Sequence, residues 1–212
     1  YPNQMKHIFL SIMMLMAALS LSAKDEDKKY LEGAVPQDEN GLVVFKKTIE
    51  VKDKSKAALY DSLYNWAKTV EAVAIHDLRT RLIEANPDSG LIIFRIEEWM
   101  VFRRLPLLLD RTRFRYALTI QCRDGKADIT IGTISYYYGE DENGEKGTLY
   151  KAEEWITDEE AMNKKKTKLY RYSAKFRRKT VDRVEELFTE ARKSVKAKRK
   201  KVVTVEEEED ED

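Results

Sequence analysis

Over residues 42–51 the sequence LVVFKKTIEV places Val43, Phe45, Ile49 and Val51 on one parity, the period of two expected of a strand with one buried face. The period then changes. In SKAALYDSLYNWAKTVEAVA, Leu59, Leu63, Trp66 and Val70 recur at spacings of four, three and four, which predicts a helix with a single apolar stripe. Ser55 stands where an N-cap is needed.

Two β-rich runs follow on either side of Asn86-Pro87-Asp88-Ser89-Gly90, a set of turn formers that predicts a hairpin. A second hairpin is predicted about Asp124-Gly125. There Phe114, Tyr116, Leu118 and Ile120 share one face, and Arg113, Arg115, Thr119 and Gln121 the other. Thr157 and Glu160 form a capping box ahead of a long helical pattern, whose stripe runs through Leu169, Tyr172, Phe176, Val184, Leu187, Phe188, Ala191 and Val195. The order β-α-β-β-β-β-α predicts an α+β fold: an antiparallel sheet with two helices packed on one face and the other face open.

Within DITIGTISYYYG the alternation breaks. Ile129 and Ile131 share parity with Tyr137, whereas Ile134 shares it with Tyr136 and Tyr138. A bulge at Gly132 or Thr133 reconciles these by turning Ile134, Tyr136 and Tyr138 inward and Tyr137 outward. Without a bulge the assignment reverses.

The 212 residues, 42% hydrophobic and 36% charged, suffice for one packed domain with tails. Lys plus Arg (39) nearly balance Asp plus Glu (38), so no overall field recruits nucleic acid, and partners must be recognised locally. Met5 and Lys6 open a largely apolar run over residues 8–21 that ends in small residues before charged Lys24-Asp25-Glu26-Asp27. This reads as a secretory signal over residues 1–22, with residues 1–4 upstream of a start methionine and no transmembrane segment after cleavage. Residues 23–40 read as a linker, 41–200 as the single domain, and 201–212 as an acidic, solvated tail.

Chemistry is sparse. Of two histidines, His7 lies in the signal, so only His76 remains for catalysis or metal binding, beside Asp77 in what reads as a helix end or loop. Zinc sites of the His- and Cys-rich kinds, an HExxH helix and a G-x-S-x-G elbow are excluded. Phosphate-cradling glycine loops are missing. DENG occurs at residues 38–41 and 141–144, but the flanking positions lack the acids of a calcium loop, and both read as Asn-Gly turns. Cys122 shares parity with Leu118 and Ile120 and reads as a buried apolar filler. No catalytic residue, metal or cofactor is expected.

The element order, the signal, VPQDENGLVVFKKTIEV at the start of the domain, the helix bearing Trp66 and the last helix LYRYSAKFRRKTVDRVEELF together resemble a known family. It is the secreted bacterial domain-of-unknown-function family with a TATA-binding-protein-like (TBP-like) fold. The resemblance spans about residues 35–195 and implies export from a Gram-negative bacterium, with no agreed activity and no catalytic residues to carry over. The fold label describes strand and helix order and implies nothing about DNA.

Three readings of function follow. The first is an exported, non-enzymatic binding or envelope-associated module, using the open sheet face or the cleft beside the last helix. Arg95, Trp99, Arg115 and Tyr137 are its ligand-binding candidates, an aromatic and cationic set suited to recognition. Its partner would be an envelope protein, a glycan or a small ligand, not nucleic acid. The second is a carboxylate-based hydrolase, and the third a periplasmic structural protein that self-associates through an edge strand.

Overall fold

The computed structural model describes residues 28–75, 79–106, 108–140 and 146–196. The signal, His76, the second DENG turn and the acidic tail lie outside them. Among the described residues no helix is long and apolar enough to cross a membrane.

The alternation of residues 42–51 becomes β1 (Phe45–Glu50), and the helical stripe becomes α1 (Lys56–Val73), capped by the Ser55 hydroxyl, which accepts the Ala58 N–H. The hairpins are β2 (Arg81–Asn86) with β3 (Leu91–Leu105), and β4 (Leu108–Arg123) with β5 (Lys126–Tyr138). Gly90 turns the first hairpin at φ +74°, and any Cβ there would fall 2.4 Å from the Cys122 carbonyl oxygen. Only glycine satisfies both demands.

All pairings are antiparallel, in the spatial order β1-β5-β4-β3-β2. A short sixth strand, β6 (Thr148–Lys151), pairs with the far end of β5. Sequence alternation did not predict it, since four residues of mixed exposure carry almost no period.

Thr157 does cap a helix, its hydroxyl accepting the Glu160 N–H (3.3 Å), but that helix is only α2 (Asp158–Ala161), and the return bond of a capping box is not formed. The chain then turns, with Lys166 at φ 54°, and helix resumes as α3 (Arg171–Lys196). The expected continuous helix is therefore corrected to two.

The core lies between one sheet face and the two long helices. Ile92, Phe94, Ile96, Phe114, Tyr116, Leu118, Ile120, Ile129 and Ile131 meet Leu59, Leu63, Trp66, Val184 and Leu187 there. Cys122 is fully buried among them, and burial pushes its thiol up to about 11. The opposite sheet face carries no helix among the described residues.

Residues 28–40 are not a linker as expected. Tyr30 and Val35 are buried, and fully buried Arg177 of α3 donates Nε to the Tyr30 carbonyl (2.6 Å) and Nη2 to that of Leu31 (2.6 Å). Two apolar anchors in a polar stretch leave no periodic trace, so only packing reveals that they belong to the domain.

Candidate functional site

The open face is built by register. Arg81, Arg95, Ala117 and Gly132 are successive cross-strand partners; Glu97, Arg115 and Ser135 form a parallel row, and Trp99, Arg113 and Tyr137 the next. Directly opposed side chains on one face stand about 5 Å apart, so these rows place four arginines in one neighbourhood.

Glu97 is fully buried although it belongs to this face. Its Oε1 accepts from Arg113 Nη1 (3.0 Å) and its Oε2 from Arg115 Nε. Its backbone is equally engaged: the N–H donates to Thr80 Oγ1 (3.0 Å), and the carbonyl accepts from the Ile75 N–H (2.7 Å). Two guanidiniums offset the cost of burying the carboxylate. Arg113 also donates Nε to Glu140 (2.7 Å). Burial opposes the Arg113 charge, but the bonds to Glu97 and Glu140 outweigh it and raise its pKa.

The aromatic residues carry the guanidiniums. Arg111 and Arg113 lie 3.5 and 4.9 Å from the Trp99 ring centroid, and Arg115 lies 5.2 Å from that of Tyr137. The Tyr137 ring packs so close to Gly147 that a Cβ there would fall 2.5 Å from it.

A bulge shapes the centre. Between the pairs Arg115–Ser135 and Ala117–Gly132, β4 has one residue and β5 has two, Thr133 and Ile134. Thr133 adopts φ 51°, a left-handed conformation unusual for a β-branched side chain. The extra residue turns Ile134 and Tyr136 into the core and leaves Tyr137 on the open side, as the change of parity predicts. Around the bulge, Arg79, Arg95 and Arg115 line a depression of about 280 Å³ with Ala117, Thr133 and Ser135. Arg95 is exposed there and makes no ion pair among the described residues.

Of the four expected site residues, Arg95 and Arg115 come together in this depression. Trp99 and Tyr137 do not line it. Both are half-buried on the open face and support arginines instead. Arg79, Thr133 and Ser135 were not anticipated: the loop after α1 brings in Arg79, and the bulge brings in the other two. The parity change at Gly132 was the signal for Thr133 and Ser135, and the sequence held none for Arg79.

The two carboxylates of the site, Glu97 and Glu140, both accept from Arg113, which holds them as fixed counter-charges. Among the described residues no three His, Cys, Asp or Glu side chains converge on a metal position.

The sequence profile of the domain of unknown function DUF4468 with TBP-like fold matches residues 45–137. A DUF4468 family protein from Bacteroides ovatus, solved by crystallography, is 36% identical, with a TM-score of 0.73 over 81% of this chain and 96% of that one. The chain belongs to the DUF4468 family. A TBP-like protein from Parabacteroides distasonis shares the fold at 22% identity, with a TM-score of 0.62 over 77% of this chain and 97% of that one. Nothing among curated proteins matches. The DUF4468 match ends at Tyr137, so it takes in β1 to β5 but for the last residue of β5, and every residue lining the arginine depression, whereas β6, α2 and α3 lie beyond it.

Proposed function

We propose that this DUF4468 chain is an exported or envelope-associated binding module without catalytic activity, and that its open sheet face receives the anionic group of a ligand at Arg79, Arg95 and Arg115. The observation that carries the reading is the convergence of three guanidiniums, one of them, Arg95, lacking a counter-charge among the described residues. Each guanidinium has five N–H donors in a planar fork that matches carboxylate or phosphate, and Arg115 commits only Nε to Glu97. The apolar run over residues 8–21 supports export.

Self-association through β3 finds less support. Beyond Arg95, where β2 no longer pairs with it, β3 is kinked by a bulge in its ladder with β4 between Val101 and Arg103, followed by exposed Arg103 and Arg104, features that blunt an edge against pairing.

Titration with sodium phosphate and sodium acetate, followed by amide chemical shifts, tests the anion site. The amides of Arg95, Ala117, Thr133 and Ser135 are expected to move together, and Arg95→Ala to weaken the response about tenfold, the worth of one charge-assisted hydrogen bond. Equal responses in the two proteins sink the proposal.

A further inference from the structure

Next to the arginine depression, and sharing Ala117, Thr133 and Ser135 with it, runs an open groove of about 500 Å³. The groove arises from a change of partner along the outer edge of β5. That edge pairs with β1 over residues 126–131 and with β6 over residues 135–138, and the bulge lies between. Leu42 and Val44, leading into β1, line the groove on one side, and Leu149 and Lys151 of β6 line it on the other with Glu153, whose carboxylate is engaged by the Val43 N–H (2.7 Å).

Its floor is made of small side chains. Ala117 faces Gly132 and Thr119 faces Thr130 in the β4–β5 register. A Cβ on Gly132 would stand 3.6 Å from a Val44 methyl, so the glycine keeps the floor low beside the apolar wall. From Arg95 the row crosses two interstrand steps, to Ala117 and then Gly132, about 10 Å at about 4.8 Å each, and the Val44 side chain borders Gly132 beyond them. Leu42 and Leu149 remain 51% and 53% exposed at its far end, apolar surface that no other described element covers.

We infer that the occupant is a single-chain amphiphile of the fatty-acid type. Its carboxylate lies among Arg79, Arg95 and Arg115, and its chain crosses Ala117 and Gly132 to end between Leu42 and Leu149. This deepens the anion-binding reading and rests on it. Charge complementarity at one end and apolar walls at the other select the class: a small polar anion leaves the groove unused, and a neutral lipid leaves Arg95 unmatched. The length of the row suits one chain of medium length.

Calorimetric titration of the full chain with butyrate, decanoate and decanol tests this. Each fully buried methylene strengthens binding about fourfold. With the chain half buried in an open groove, decanoate is expected to bind about a hundredfold tighter than butyrate and about tenfold tighter than decanol. Arg95→Ala brings decanoate down to the level of decanol. Leu149→Asp, at an already exposed position, lowers decanoate affinity about tenfold and leaves butyrate unchanged. If butyrate and decanoate bind equally and both depend on Arg95, the amphiphile is refuted while the anion site stands. If decanoate binds no better than decanol and ignores Arg95→Ala, both readings fall.

Discussion

At the scale of single residues, Thr133 is the informative position. A β-branched residue at φ 51° crowds its Cβ against the backbone, at a cost of about 1–2 kcal/mol, and the neighbouring Gly132 does not relieve it. The two residues divide the work of the bulge. Gly132 allows close approach beneath Val44, and Thr133 takes the left-handed conformation and lines both the arginine depression and the apolar groove. Because Thr133 is exposed and buries little, Thr133→Gly is expected to raise stability by about 1 kcal/mol in urea unfolding. A loss of stability instead would show that the threonine side chain holds a structural contact, and the strain would then need no functional explanation.

At the scale of elements, α3 does more than cover the sheet. Arg177 has no exposed surface and satisfies three carbonyls, those of Tyr30, Leu31 and Ile156, while its Nη2 pairs with Asp158 Oδ1 at 2.5 Å. One side chain thus joins α3 to the N-terminal segment and to the start of α2. A buried guanidinium is favourable only when its donors are met, and here several are met by carbonyls whose own loss would be costly. Arg177→Lys keeps the charge but replaces the planar fork with a compact ammonium. It is expected to lower stability by about 3 kcal/mol, read as a shift in the urea midpoint with unchanged slope. A change below about 0.5 kcal/mol would contradict this account of the joint. The sequence displays Arg177 as one of several cations in SAKFRRKT, and nothing local separates it from exposed Arg171 on the same helix.

For the molecule as a whole, residues 28–40 belong to the folded unit. Besides the Arg177 bonds, Tyr30 donates its hydroxyl to Asp182 (2.9 Å), Lys29 pairs with Asp182 and Glu185, and the Pro36 carbonyl accepts the Val44 N–H (3.1 Å). The segment also leads into Leu42 and Val44, which wall the apolar groove. A chain beginning at Gly41 loses two buried apolar side chains and orphans Arg177. The expected cost is about 4 kcal/mol, a fall in Tm of about 10 °C or more by calorimetry. Unchanged Tm would show that the segment only lies on the surface.

The sequence by itself determined the kind of each long element and which of its faces is apolar, because helix and strand periods are set locally by backbone sterics. Hence Val43 to Val51, Leu59 to Val70 and Phe114 to Ile120 were legible, and so was the open face with Arg95 and Arg115 on it. The tertiary structure alone decided the rest. Which residues stand opposite one another depends on register, and register is fixed by hydrogen-bond ladders and packing between segments far apart in the chain. Arg79 reaches Arg95 and Arg115 only in that register. Trp99 and Tyr137, which stood out in the sequence as exposed aromatics, are taken up by neighbouring guanidiniums. The parity break in DITIGTISYYY announced a bulge, but only the folded sheet shows that the bulge opens the groove and joins it to the arginines.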